Sequence, residues 1–454
     1  MSTHQNELED TRHRVEALLA EGDVTSARDL ALTLHASDLA DLFEALDEDV
    51  RVGLMSALPA EQASEALAEM EEGEDRGDLL AAFAPAKGAE LLSELADDDA
   101  ADLMAELEPS EQKLILEALP ADEADDLIDL LEFGEDTAGG LMTTELVAID
   151  ASLTAAEAIA EVRRQGREVG VFYMVWVVDA QGRLQGSLNL NDLVIADPAS
   201  GIADLVEAPL ATVLTSMDQE EVGRLIARYN VVALPVVDEK GVLIGRITFD
   251  DVIDVLEAEQ TEDILLMAGA GRDEGALRYT WQQSVRARMP WLFVNLGTAA
   301  LASFVVYLYS ETIESVVILA AIMPIVAGIG GNAGTQALAV TARSLALDRN
   351  PRDRAALGLH VAREVTVGLI NGAILGSVVA VLATIVGSDP MLGLVVLLAM
   401  WGNLAVAGFL GSFVPSIMDR LGLDPAVSSS MFVTPFTDLC GFLFLLGLGS
   451  ALLL

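Results

Sequence analysis

The chain has 454 residues, with 25 lysines and arginines against 72 aspartates and glutamates, a formal net charge of −47. So acidic a surface repels phosphate, which argues against nucleic acid as a partner. A mean hydropathy of +0.44 is too high for a soluble protein of that charge, so the chain divides into two unlike parts. From Arg286 onward there are eight arginines, no lysine and nine acids, netting −1; the first 285 residues carry 17 bases and 63 acids, netting −46. The first part reads as soluble and anionic, the second as a membrane domain. Only Lys87, Lys113 and Lys240 are lysines, a balance that suits multivalent cations or a salt-rich cytoplasm. The opening M-S-T-H-Q-N-E-L-E-D lacks the apolar core of a secretory signal, which predicts a cytoplasmic N-terminus. Cys440, the single cysteine, cannot close a disulfide within the chain.

Residues 1–136 predict an all-α, superhelical stack of short helices with Ala/Leu stripes and acidic outer faces. A-L-P-A-E-Q-A-S-E-A-L (57–67) and A-L-P-A-D-E-A-D-D-L-I (118–128) open alike, and F-A-P-A-K-G-A-E-L-L (83–92) and L-E-P-S-E-Q-K-L-I-L (107–116) vary the theme. Proline suits a first helical turn, and acids after it suit the positive end of the helix.

From Glu135 the texture changes to alternating strands and helices. A helix at Ala155–Gln165, a strand at Val171–Val178, a turn at Asp179–Gly182 and a strand at Leu184–Leu190 are followed by the same order again. The second round runs through Ala211–Leu214, Asp218–Tyr229, Val231–Val237, Asp238–Gly241 and Val242–Thr248 into a helix at Asp250–Glu259. V-V-D-A-Q-G-R-L-Q-G-S matches V-V-D-E-K-G-V-L-I-G-R, so the segment is a duplication of about 60 residues. It resembles a CBS-domain pair, an α/β fold, with one copy over 137–204 and the other over 205–256. T-F-D-D (248–251) is similar to that family's Ser/Thr-x-x-Asp element, which implies that Thr248 meets phosphate and Asp251 ribose, and that the pair binds ATP or another adenine nucleotide. The first copy has S-L-N-L-N-D (187–192) in its place.

Residues 257–284 connect the two parts through an acidic-to-apolar helix, E-A-E-Q-T-E-D-I-L-L-M, and a flexible G-A-G-R-D-E-G turn. Residues 285–454 then contain five apolar segments, Pro290–Tyr309, Val316–Leu345, Val361–Val386, Leu392–Met418 and Ala426–Leu454. Each is long enough for roughly 30 Å of hydrocarbon, which predicts an α-helical domain of five spans in a lipid bilayer. All eight arginines fall on one side: Arg286 and Arg288 before the first span, Arg343, Arg349, Arg352, Arg354 and Arg363 around the second-to-third loop, and Arg420 in the last loop. That asymmetry predicts a multi-pass protein of the cell membrane, N-terminus cytoplasmic and C-terminus outside.

Two membrane features stand apart. I-M-P-I-V-A-G-I-G-G-N-A-G-T-Q (322–336) packs Pro324, Gly328, Gly330, Gly331 and Gly334 into an apolar run, with Asn332 and Gln336 four residues apart on one helical face. Such a run either lines a wet path or allows close helix contact. Asp438 is the only charge between Val427 and Leu454, and an acid at that depth marks an ion site or a buried protonated group. No lysine or arginine lies in any span core to pair with it, so a metal cation or a proton is its remaining partner. Magnesium prefers oxygen ligands and keeps its water, so one aspartate from each of two chains would suit a hydrated divalent ion. Thr434, one turn earlier, and carbonyls near Gly328 and Gly331 could hold the water shell. With four histidines and no H-E-x-x-H, an intramembrane zinc protease is excluded and the chain is not read as an enzyme.

The order of parts, with P-x-x-x-G-x-G-G-N-x-G-x-Q (324–336) and F-V-T-P-F-T-D-L-C-G-F-L (432–443), resembles the MgtE family of magnesium channels along essentially the whole chain. The resemblance implies a homodimer with Asp438 as the selectivity carboxylate on its axis. It also implies that the connecting helix is a plug, closed when cytosolic magnesium bridges acidic faces. The matching acids are Asp218, Glu220, Glu221, Asp251, Asp254, Glu259, Glu262 and Asp263, with Asp98, Asp99 and Asp102 offered for the helical domain. An ion-coupled carrier or exporter, and manganese or cobalt as cargo, stay open on the sequence alone.

Overall fold

The computed structural model describes residues 3–70, 74–167, 169–270, 280–347, 354–421 and 425–454. The chain forms two compact units, one ending at Glu257 and the other beginning at Ala258.

Among the described residues the first unit opens with ten helices, from α1 (Thr3–Ala20) to α10 (Ala121–Leu131). Helices this short are marginal alone and hold through packing. Their apolar stripes meet in a core through Leu42, Phe43, Leu54, Leu67, Leu91 and Leu103, all fully buried or nearly so. Pro85 and Pro109 take the first helical position of α7 (Pro85–Leu92) and α9 (Pro109–Leu116), as expected. Pro59 and Pro120 stand one step outside, as caps of α5 (Ala60–Ala68) and α10.

The duplicated segment forms two three-stranded sheets of one design. In the first, β1 (Ala148–Asp150) runs parallel to β2 (Met174–Val178), which pairs antiparallel with β3 (Leu184–Asn189); α11 (Ala155–Gln165) crosses over and α12 (Leu190–Ile195) follows. In the second, β4 (Val213–Leu214), β5 (Ala233–Val237) and β6 (Leu243–Thr248) repeat the pattern with α13 (Gln219–Tyr229) and α14 (Phe249–Ala268). The register even slips at the same step, between Val177 and Val178 and between Val236 and Val237. Both middle strands begin later than their composition predicts. Val171, Tyr173 and Val232 are exposed, and apolar side chains do not extend a strand where no neighbour pairs with it.

The cores of the two copies differ. Copy 1 encloses its own, around Val147, Ile149, Val175, Val177 and Leu193. Copy 2 shares the core of the helical stack, which runs on through Val213, Val222, Leu234, Val236 and Ile247. The helical stack is therefore fused to the second copy. The expected boundary at 256/257 falls inside α14, which runs on to Ala268 and ends at Gly269 in the left-handed region, φ 78°. The expected turn beyond it (271–279) lies outside the described residues.

The second unit carries α15 (Trp281–Leu308), α16 (Ser310–Ser315), α17 (Ile318–Leu347), α18 (Arg354–Gly387), α19 (Pro390–Arg420) and α20 (Pro425–Leu452). All but α16 are long and apolar enough to cross a membrane. The acidic stretch between the first two apolar segments forms the short helix α16. Arg349 and Arg352 of the second-to-third loop lie outside the described residues.

The α18–α19 pair is held by backbone contact. A Cβ on Gly368 would fall 2.2 Å from the Leu404 carbonyl oxygen, and one on Gly408 would fall 2.4 Å from that of Glu364. Membrane helices gain little from burying apolar groups against each other, so close backbone approach is what such a pair depends on. Gly368→Val should cost about 3 kcal/mol, the upper end for overpacking, because backbone cannot yield as a side chain does. Gly297→Val, with nothing within 4 Å of its Cβ, should cost little. Thermal aggregation midpoints of the detergent-solubilised protein check this: Gly368→Val falls well below wild type and Gly297→Val stays near it.

Candidate functional site

The glycine-rich run of α17 serves two faces. Gly330, Gly331 and Gly334 are buried, and their missing side chains admit neighbours: a Cβ would meet Asn403 Nδ2 at 2.2 Å, Thr434 Cγ2 at 3.2 Å and Val433 Cγ1 at 2.4 Å respectively. Here the run is a tight contact with α19 and α20. Gly328, Asn332 and Gln336 recur every four residues on another face, and all three are exposed on the single chain. The close helix contact offered by the sequence is present on one side of the helix, and a polar side is left open.

On α20, Thr434 is exposed and Asp438, one turn later, is partly buried. The contact between Gly331 and Thr434 sets this pair beside the polar stripe of α17. Thr437, between them, is fully buried and donates to the Thr434 carbonyl at 2.8 Å. The geometry leaves one carboxylate, one hydroxyl and two amides on an open face of a membrane helix pair.

Two buried polar groups of the membrane unit escaped the sequence reading. Asn403 on α19 is fully buried; its Nδ2 donates to the Val326 carbonyl at 3.1 Å, and its Oδ1 has no partner. Glu364 on α18 is 7% exposed, one turn after His360, whose Nε2 lies 3.0 Å from the hydroxyl of the buried Thr341. A lone amide in the apolar run 391–410 was the available signal for Asn403. Glu364 was hidden by its neighbour Arg363, which reads as a flanking charge.

In the first unit, the start of α8 (Asp97–Ala105) meets the second copy. Asp97 accepts from the Thr143 hydroxyl at 2.5 Å, from the Thr144 amide at 3.1 Å and from the Thr144 hydroxyl. Asp98 draws instead on the Asp99 amide. Asp98 Oδ1 is sealed from solvent without a hydrogen bond, and burial, then the charges of Asp99, Asp251 and Asp97, push its pKa well above the carboxylate range. Asp99 keeps an open edge to solvent, yet loss of bulk water and then Asp251 push it to about 6. Asp251 is raised by burial, against the hydrogen bonds from Thr248 that favour its charge. Of the nearby bases, Arg76 is held by Glu106 at 2.7 Å in a buried pair, and Arg246 acts on Asp251 to favour its charge without outweighing burial. Asp102 lies one helical turn beyond Asp98.

The other acids are placed as follows. Asp218 caps α13 by accepting from the Glu220 amide at 3.0 Å, and Glu220 pairs with Arg224 at 2.5 Å. Glu221 is exposed. Asp254, Glu259, Glu262 and Asp263 all lie on α14. Among the described residues no three acids, histidines or cysteines close into a metal cage.

Between the two copies lies a cavity of about 230 Å³, lined by Trp176, Asn189, Asp192, Leu205, Asn230 and Pro235 among others. Asn189 donates to Asp192 at 3.0 Å, just as the Thr248 hydroxyl donates to Asp251 at 2.6 Å. Copy 1 thus holds the counterpart of the T-F-D-D element, with Asn for Thr. Thr248 and Asp251 are not among the residues lining the cavity.

The chain matches the divalent cation transporter family MgtE over residues 323–448, the MgtE intracellular N domain over 34–136, and the CBS domain over 138–198 and 202–258. It is 36% identical to the magnesium transporter MgtE of Enterococcus faecalis over 428 residues, 93% of each chain. It is 34% identical to that of Thermus thermophilus over 443 residues, 96% of this chain and 97% of the other. Among solved structures it resembles the soluble part of a magnesium transporter, with a TM-score of 0.51 and 32% identity, over 56% of this chain and 99% of that one. It also resembles the cytosolic domain of the Mg2+ channel MgtE in complex with ATP, with a TM-score of 0.52 and 35% identity, over 54% and 99%. Domain order, five spans and near full-length identity agree: the chain belongs to the MgtE family of magnesium transporters.

Proposed function

We propose that the chain is a magnesium-selective channel of the cell membrane, working as a homodimer with its ion path on the α17–α20 face. The open polar stripe carries this reading. Gly328, Asn332 and Gln336, beside Thr434 and Asp438, would meet lipid on a single chain, and polar groups in hydrocarbon are costly. A second copy that buries this face turns the cost into a water-filled path with two Asp438 carboxylates. Two carboxylates suit a hydrated divalent ion that sheds its water reluctantly. The distribution of arginines supports a cytoplasmic helical stack, and influx would then follow the membrane potential. Asp438→Asn keeps shape and removes charge. In liposomes it should lower magnesium uptake by more than tenfold, about 1.4 kcal/mol, while the protein still elutes as a dimer; wild-type uptake would refute the reading.

The gate is electrostatic. At the α8–α14 contact, Asp98, Asp99 and Asp251 crowd together with raised pKa values, and magnesium is the counterion that the site lacks. A carboxylate whose folded pKa is raised favours the packed state when protonated. That contribution is full below the ordinary carboxylate range and is lost as pH rises through about 6, the value for Asp99. At neutral pH the metal-free contact therefore loosens, and magnesium closes it. Limited proteolysis of the full chain in chelator should be faster at neutral pH than in mild acid. Magnesium should abolish the difference, and Asp99→Asn should flatten it. Identical rates throughout would mean that these acids are only a solvated face. We extend the same role to Asp102, Asp218, Glu220, Glu221, Asp254, Glu259, Glu262 and Asp263, whose charges sit on the helical stack, on α13 and along α14.

For nucleotide, the cavity at Asn189 and Asp192 is the better candidate than Thr248 and Asp251. It has open volume, whereas Asp251 is engaged by Thr248 and crowded by the acids of α8. Asp192→Ala should weaken binding of ATP by about tenfold, the loss of one or two hydrogen bonds, and Asp251→Ala should not, as calorimetry on the full chain would read.

A further inference from the structure

Asn403 sits mid-helix between Trp401-Gly402 and Leu404-Ala405, and its side chain touches three helices. From α19 its Nδ2 donates to the Val326 carbonyl of α17 at 3.1 Å. In a regular helix that carbonyl already accepts the N–H of Gly330, four residues on, so two donors converge on it. A Cβ on Gly330 would fall 2.2 Å from Nδ2, and one on Gly441 of α20 would fall 2.9 Å from the same atom. Each helix keeps a glycine where the amide passes. The Oδ1 atom is sealed from solvent and has no partner.

An aliphatic side chain would fill this space without stranding an acceptor away from water. Interhelical amides do hold membrane helices together, but adhesion alone requires neither two glycine notches nor an orphan oxygen. The notches also sit at particular places. Gly330 lies between Gly328 and Asn332 of the open stripe, and Gly441 is three residues past Asp438.

We propose that Asn403 is a positioning residue for the ion path. Wedged between Gly330 and Gly441 and tied to Val326, it sets the spacing between the polar stripe of α17 and Asp438 on α20. It acts from behind that face, since it is fully buried. The inference rests on Asp438 being the selectivity carboxylate. Divalent ions of different size are told apart by the spacing of the oxygens they meet. A small slip of α20 against α17 therefore alters which ion passes before it alters whether the protein assembles.

The test compares magnesium and calcium uptake by the full-length protein in liposomes, normalised to correctly eluting protein. Asn403→Leu and Asn403→Ala should lower the magnesium-to-calcium ratio about tenfold, the worth of one hydrogen bond. Gly330→Ala alone should impair assembly through its clash with Nδ2. Gly330→Ala combined with Asn403→Ala should restore assembly and flux but not the ratio, which also serves if either single Asn403 variant fails to fold. An unchanged ratio in the Asn403 variants and in the double variant, with flux following folded protein, would make the amide simple adhesion and overturn the proposal. Asp438→Asn in the same assay separates the two ideas. If it transports like wild type, the ion path itself is misplaced and the proposal falls with it. If it fails while the Asn403 variants keep the ratio, only the positioning role falls.

Discussion

A carboxylate that finds no counterion within its own chain must lose its charge or take a partner from outside. This constraint appears in both units. In the membrane unit Asp438 shares α20 with no other charge. In the first unit Asp98, Asp99 and Asp251 crowd together beside Arg76, which is bound to Glu106, and Arg246 offsets only part of that crowding. Asp97 shows what satisfaction looks like at the same helix end. It collects donors from Thr143 and Thr144, and burial does not leave it in want of a cation. One residue further along, Asp98 draws on the Asp99 amide, and its Oδ1 has no hydrogen-bond partner among the described residues. On the proposed mechanism, this contrast between neighbours on one helix turn separates a structural acid from one left for a ligand.

The duplicated sheets set one local element in two different surroundings. Both copies present a polar residue hydrogen-bonded to an aspartate three positions later, Asn189 to Asp192 and Thr248 to Asp251. Copy 1 encloses a core of its own and turns its pair toward the cavity between the copies. Copy 2 shares its core with the helical stack, so its aspartate lies against α8. Sequence comparison with the family element alone favoured Thr248 and Asp251 as the nucleotide site. The position of the stack against copy 2 is what separates the two pairs, and nothing local in T-F-D-D encodes it.

Features that depend on a single segment were legible in the sequence. Five spans, the repeat and its turns, the isolation of Asp438, and the shared face of Asn332 and Gln336 all follow from period, composition or charge. Features that depend on which segment lies opposite were not. The glycine run divided into a packing face and an open face only once Thr434, Val433 and Asn403 stood beside it. Asp98 and Asp99 gained meaning from Asp251, 152 residues after Asp99 in the chain. Asn403 was a lone amide in an apolar run, and its importance lies in glycines on two other helices. The strands came out shorter than their apolar runs because pairing, rather than side-chain character, ends a strand.

Rigid and soft parts are distributed unequally. The membrane helices meet backbone to backbone at Gly368, Gly408 and Gly411, contacts that have one good geometry and resist gradual deformation. On the proposed mechanism the acidic contact of the first unit has no comparable lock, since its crowded carboxylates set it against closure. A ligand can shift an equilibrium only by its differential affinity for the two states. Moving a gate from about 1:99 to 99:1 requires roughly 5.5 kcal/mol of such preference. One exposed ion pair supplies well under about 1 kcal/mol, so a single surface carboxylate could not close such a gate. Several crowded carboxylates, each relieved by the same divalent ions, can reach that sum together. On the proposed mechanism the chain's acidity is therefore spread over α8, α13 and α14, while the membrane spans carry as little charge as transport allows.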